Sequence, residues 1–255
     1  MMRALQKSQP VEQPQLALDL FEVERDAINV FIRNDDVDDG DPSLHGLLHL
    51  FLELEIPINL QIIPERLTDA GIMLLRQYQN YRPDLFELNQ HGWRHVNHEP
   101  AGRKCEFGAS RSFEEQLVDI ARGRDMLEHA FGKAFSPVFT PPWNRCTQDT
   151  YRALDQLSFL ALSKLRGKES VTGYGFRELS VTLDLFRWKG GAAMKPVSEF
   201  VSELRVQLRE LDTVGIMLHH KVMDDTALML LRMVLNELRR SDAVRFHTFQ
   251  SLLKS

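Results

Sequence analysis

The chain has 255 residues, 43% apolar and 26% charged, with 31 Lys+Arg against 36 Asp+Glu for a net charge of −5. That is ordinary for a globular protein, and the length suits one (β/α) barrel. The acidic balance and the lack of a basic stripe argue against a nucleic-acid partner and an anionic membrane surface, and no run of about 18 apolar residues could form a membrane span.

Residues 1–25, with Pro10 and Pro14 among several Gln, read as an N-terminal arm or tail, with a short helix expected over Gln15–Glu24. The start turns polar directly after Met1-Met2-Arg3 and lacks the apolar core of a secretory signal, so a cytoplasmic location is expected. The two cysteines, Cys105 and Cys146, are too few for a disulfide framework; a single bridge between them stays open.

Ile28–Arg33 is a β-branched, apolar run that reads as the first strand and ends at Asn34-Asp35-Asp36. Ser43 is placed to cap a helix through Leu54, Ile56–Ile63 reads as a second strand, and Leu67–Gln79 as a helix. Leu85–Asn89 forms a third strand that delivers His91 just past its end. Ser112 and Glu115 make a capping box for a long helix to about His129, with Leu117, Ile120, Met126 and Leu127 on its buried stripe. Pro137–Thr140 is a strand ending in Pro141-Pro142-Trp143-Asn144. A helix (147–157), strands at Phe159–Ser163 and Leu179–Phe186, and a helix (197–210) follow. A strand at Val214–Leu218 then ends at His219-His220, before a helix (224–240) and a last strand near Val244–His247.

This alternation repeats about seven times without a change in composition, so one domain is expected over 26–255. β after α implies parallel strands with crossover helices, and a closed or incomplete (β/α)7–8 barrel brings all strand C-termini to one mouth. Asp35, Asp36, His91, Trp143, Asp184 and His219 would meet there.

His91 and His95, four apart, fall on one face of a helical turn, where both imidazoles reach one cation; a nearby carboxylate completes a facial ligand set. His98 extends the spacing, but Pro100 makes a third ligand from elsewhere, such as Asp36, preferable. Adjacent carboxylates take different tasks, one binding metal and the other acting as base. After two prolines without N–H groups, the Trp143 amide is a free donor for a developing oxyanion. Asp184 is placed to orient a histidine of the His219-His220 pair, or to pair with Arg187 or Lys189.

Asp-Asp after the first strand, His-x-x-x-His after the third, Pro-Pro-aromatic after the next and Leu-His near the end together resemble the polysaccharide deacetylases of carbohydrate esterase family four, over roughly Ile28–Phe249. The resemblance implies a distorted barrel with a divalent metal, most commonly Zn2+, that removes the N-acetyl group of an amino sugar. By motif match it implies Asp36, His91 and His95 as metal ligands, Asp35 as general base and His219 as general acid. It also implies the Trp143 amide in the oxyanion hole, Asp184 tuning His219, and Trp188 walling the acetyl pocket. Pro142, Arg145 and Arg187 are further candidates for substrate contact.

Three departures mark the chain. Thr140 stands where the family has an Arg that holds the catalytic Asp, so either Arg145, Arg187 or Arg94 substitutes or the base is less well oriented. Gly92 stands where Ser or Thr is usual, and the first motif reads Arg-Asn-Asp-Asp in place of Thr-Phe-Asp-Asp. The set looks like an intracellular side branch. It keeps two alternatives open: hydrolysis of a small cytoplasmic amide, formamide or glycolipid precursor, read by the Pro100–Phe107 loop, and a non-catalytic metal- or sugar-binding protein. The expected partner is a small-molecule or oligosaccharide substrate, with self-association undecided.

Overall fold

The computed structural model describes residues 27–167 and 171–254; the expected arm and its short helix lie outside the described residues. In chain order the strands are β1 (Ile28–Val37), β2 (Ile58–Ile62), β3 (Phe86–His91), β4 (Phe135–Thr140), β5 (Ala161–Leu162), β6 (Arg177–Glu178), β7 (Leu183–Asp184), β8 (Phe186–Arg187), β9 (Ala193–Met194), β10 (Thr213–Leu218) and β11 (Val244–His247). The helices are α1 (Pro42–Leu54), α2 (Asp69–Tyr81), α3 (Phe113–Phe131), α4 (Gln148–Gln156), α5 (Val197–Glu210), α6 (Asp225–Arg240) and α7 (Phe249–Lys254).

All but β8 and β9 form one nine-stranded sheet in the order β6-β5-β4-β3-β2-β1-β10-β7, with β11 also beside β1. Every pairing in it is parallel. The sheet curls into an incomplete (β/α) barrel with helices around it. One irregular stretch bridges its edges: Arg177–Glu178 pairs with β5, and Leu183–Asp184, a few residues on, pairs with β10. The expected continuous strand over Leu179–Phe186 is therefore broken, because the chain changes partner in the middle of it. β8 turns away into an antiparallel hairpin with β9.

Strand residues alternate between two environments with period two. Val30, Ile32, Ile58, Leu60, Ile62, Phe86 and Leu88 face the helices in the main core. Their neighbours face the barrel interior, which is layered. Its floor is apolar, where Phe31 meets Phe249 of α7 edge-on at 5.1 Å; burying such a ring is worth roughly 1.5–3 kcal/mol. α7 is seated by polar strand residues, with Phe249 N donating to Asn59 Oδ1 and Gln250 N to Glu87 Oε2. Above it lies a buried polar layer: Gln61 donates to Asn89, Asn89 to Glu87, and Thr140 Oγ1 to Gln61 Oε1 at 2.7 Å. Burying polar groups costs little when all are paired, and such networks rigidify what they support.

α3 starts at the expected capping box, with Ser112 Oγ accepting from Glu115 N and Glu115 Oε2 from Ser112 N. Its Met126 is exposed, however, and Gln116, Gly123 and Phe131 join Ile120 and Leu127 on the buried face. The cap of α1 is Asp41 rather than Ser43: Asp41 Oδ1 accepts from Ser43 N and Leu44 N. Cys105 and Cys146 are both free, so no bridge joins them.

Candidate active site

The site opens at the C-terminal ends of the parallel strands. Between the pairs Asn34–Leu60 and Val37–Ile62, β1 takes three steps while β2 takes two. The extra residue is a β-bulge, a device that re-aims side chains. Asp36 lies in it with φ 63°, a left-handed conformation uncommon outside glycine.

Arg33, two residues before Asp35 and on the same face of β1, is fully buried. Its guanidinium grips Asp35 as a fork, Nε to Oδ1 and Nη2 to Oδ2, both at 2.8 Å. It also donates to Ser163 Oγ at 3.1 Å and Asn144 Oδ1 at 2.7 Å. The expected substitutes for the family arginine are elsewhere: Arg94 pairs with Glu65, Arg187 with Glu199, and Arg145 donates to Lys104 O. Arg33 was missed in the sequence, although an Arg inside an apolar strand must find a buried partner, and Asp35 is the nearest carboxylate on its face.

His91 ends β3, and its Nδ1 meets the Thr140 carbonyl at 3.0 Å. A carbonyl accepts only from N–H, so a proton sits on Nδ1 and Nε2 is the nitrogen facing the cavity; burial opposes protonation of His91, but Asp36 and Asp35 beside it raise its pKa. The expected helical turn from His91 to His95 does not form. Gly92 has φ 59° and His95 φ 57°, and the chain loops back so that the two rings lie 5.2 Å apart. Glu106, fully buried, holds this loop by accepting from Trp93 N at 3.3 Å and Arg94 N at 2.7 Å. Any Cβ at position 92 would collide with Glu106 Oε2 and the Pro142 ring. His98 belongs outside: it does not line the cavity, and Arg111, Asp119 and Glu115 surround it.

Asp36 Oδ1 lies 3.2 Å from His91 Nε2 and 3.2 Å from His95 Nε2. It is buried and makes no hydrogen bond. Metal bonds of about 2.0–2.2 Å place neighbouring ligand atoms about 3 Å apart, which these spacings match. Two imidazoles and one carboxylate suit Zn2+ and related divalent ions. Burial works against ionisation of Asp36, but His91, His95 and His219 hold its carboxyl far below the usual range. Burial, reinforced by His91, pushes His95 down to about 4, so it is neutral at neutral pH, the form that binds metal.

Across the cavity, His219 Nε2 lies 3.9 Å from Asp35 Oδ2, while its Nδ1 is buried without a hydrogen bond. Asp184 accepts from Phe186 N at 2.9 Å and Trp188 Nε1 at 2.7 Å. The Trp188 ring stands edge-on to His219 at 4.5 Å, so Asp184 reaches His219 by charge and through Trp188 rather than by a direct bond. Burial raises the Asp184 carboxyl above its ordinary pKa. The doubled His220 turns away into the protein, where Asn34 Nδ2 donates to its Nδ1 and Asn34 Oδ1 accepts from its amide.

Trp143 has φ 55° and packs on His95, ring centroids 4.4 Å apart. The following amides, Asn144 N and Arg145 N, are taken by Pro141 O and Pro142 O. Among the hydrogen bonds of the described residues none uses Trp143 N. Pro142 is buried against the position 92 backbone. Asp35, Asp36, His91, His95, Trp143, Arg145, Asp184, Trp188 and His219 line one cavity of about 550 Å³, joined by Arg103, Lys104, Asn144, Leu165 and Met217. Arg187 does not line it.

No family model and no curated protein matches the chain. Solved structures do. A chain from Mycobacterium smegmatis designated a polysaccharide deacetylase superposes at a TM-score of 0.72 with 16% identity, covering 98% of this chain and 94% of that one. A family 4 acetyl xylan esterase from Clostridium thermocellum, solved with a cobalt ion, gives 0.60 at 14% identity, covering 89% and 90%. A peptidoglycan N-acetylglucosamine deacetylase gives 0.58 at 14% identity, covering 90% and 89%. The same fold also serves a family pseudoenzyme. At these identities the likeness establishes the fold, which is that of carbohydrate esterase family four.

Proposed function

We propose that the chain is a divalent-metal-dependent hydrolase that removes an acyl group, an acetyl on the nitrogen of an amino sugar, from a saccharide. The observation that carries this reading is the pairing of an orphaned Asp36 oxygen between two imidazoles with a separately tethered carboxylate, Asp35, 3.9 Å from His219. A metal site alone needs no second carboxylate held by a buried Arg fork, so base and acid beside it favour catalysis over simple binding. The esterase and deacetylase named above support acyl transfer as the chemistry of this fold.

Asp36, His91 and His95 would hold the metal, with Zn2+ the expected ion. A divalent cation there supplies Lewis acidity, acidifying water and polarising the acyl oxygen. Asp35 takes the proton of the attacking water; Arg33 fixes the carboxylate plane, and each oxygen keeps a further lone pair for the cavity. The Trp143 amide donates to the developing oxyanion, a contact whose loss typically costs about 10²–10³ in rate. His219 gives a proton to the leaving nitrogen, which cannot depart as an anion. Trp188, held by Asp184, walls the acyl pocket against the imidazole.

Metal analysis combined with acetate release tests the roles. Asp36→Ala should lose metal and activity together, whereas Asp35→Asn should keep the metal and lose activity. Full turnover by Asp35→Asn removes Asp35 from the mechanism.

A further inference from the structure

The cavity rim on the Trp143 side is cationic in a chain whose net charge is −5. Arg103, Lys104 and Arg145 line it. Lys104 Nζ lies 6.0 Å from the Trp143 ring centroid, one ring away from His95. These cations are positioned by backbone bonds: Arg145 Nη1 donates to Lys104 O at 2.8 Å, and Cys105 Sγ to Arg145 O at 3.3 Å. Cys105 N donates to Asn97 Oδ1 at 2.9 Å, tying down the same loop.

The loop's acidic side chains do not neutralise them. Glu106 is turned inward onto Trp93 N and Arg94 N, and Glu99 accepts from Ser110 N. Among the described residues none of the three cations forms an ion pair with a carboxylate. Of the floor carboxylates, Asp35 is paired with Arg33 and Asp36 lies between His91 and His95. Three cations without ion-pair partners at the mouth of one cavity attract an anionic ligand. Two guanidinium groups match the geometry of phosphate or carboxylate oxygens.

We propose that Arg103, Lys104 and Arg145 form a subsite for an oxyanion, a phosphoryl or carboxylate group, carried by the acylated amino sugar beside the acyl group to be removed. This rests on the hydrolase reading above and names its substrate class. A neutral polymer leaves the rim unused.

The test compares kcat/KM of the metal-loaded protein on N-acetylglucosamine 1-phosphate, N-acetylglucosamine 6-phosphate and N-acetylmuramic acid with neutral N-acetylglucosamine and chito-oligomers. At least one anionic substrate should exceed the neutral ones by about tenfold, the size of one charge-assisted contact. The phosphate and carboxylate arms tell the two sources apart. Arg103→Gln with Lys104→Gln should collapse the anionic-to-neutral ratio toward one, chiefly through KM, and rising salt should do the same by screening. Neutral substrates turned over as well as anionic ones, or an unchanged ratio in the double variant, overturn the proposal. Hydrolysis of 4-nitrophenyl acetate separates the two failures: if neither ester nor sugar is cleaved, the hydrolase reading fails. Calorimetry with the sugar phosphates then decides the subsite, because binding weakened about tenfold by the double variant supports it and binding indifferent to the variant refutes it.

Discussion

Replacing Arg33 with Met tests how Asp35, the proposed base, is held. Arg33 and Asp35 have side-chain exposures of 0% and 3%, so water screens neither charge. Removing the guanidinium leaves a buried, unpaired carboxylate, and breaking such a pair costs about 3–5 kcal/mol. In a domain of this size each kcal/mol shifts Tm by about 2–4 °C, so a fall of roughly 6–20 °C is expected. Asp35→Asn strands the opposite charge and should lose a similar amount. The double variant, Arg33→Met with Asp35→Asn, strands neither, and should be more stable than the sum of the singles by about 2–3 kcal/mol in urea unfolding. Arg33→Lys separates charge from geometry: it keeps the positive charge but loses the fork, so stability should fall less than in Arg33→Met while kcat drops. Additive losses in the cycle, or an Arg33→Lys protein with undiminished kcat, would refute the tether.

Two further outcomes follow from the geometry. Burial raises the Asp184 carboxyl in the folded state, so the folded protein holds that proton more tightly than the unfolded chain. Stability must then fall as pH rises from the unfolded carboxyl value of about 4 up to the raised folded one. Asp184→Asn removes this slope, so its urea midpoint relative to the parent should climb across that window and then level off; parallel curves would show that burial of the charge is not the cause. Glu106→Ala frees the Trp93 and Arg94 amides, and losing such support to metal ligands typically costs about 10–100-fold in metal affinity. Calorimetric titration with Zn2+ measures it, Glu106→Gln should fall between, and an unchanged affinity would remove Glu106 from the ligand scaffold.

The strand ending in Asp35-Asp36 and the capping box of α3 were legible because each is a local pattern with a local cause. The turn from His91 to His95 was not. Spacing of four fits a helix, but it fits equally a loop with two left-handed residues, and what selects the loop is Glu106, a residue thirteen positions beyond Trp93. The buried layer of Asn59, Gln61 and Asn89 was read as plain strand, since nothing local says that the barrel interior is polar. Arg33 carried a usable signal, a charge within an apolar strand. The motif pattern hides it, because the family arginine belongs at the position of Thr140, on a different strand.

The placement of Arg33 has a consequence for how this scaffold can change. Tether, proposed base and one metal-ligand candidate all lie within four consecutive residues of one strand, Arg33 to Asp36. Orientation of the Asp35 carboxylate is thus settled by the strand's own pleat and owes only auxiliary bonds to Ser163 and Asn144. The rim loop at 97–107 and the hairpin of β8 and β9 shape the mouth without gripping that carboxylate. Libraries that recombine the rim loop, while sparing Glu106, can therefore explore new substrates without loosening the grip on Asp35.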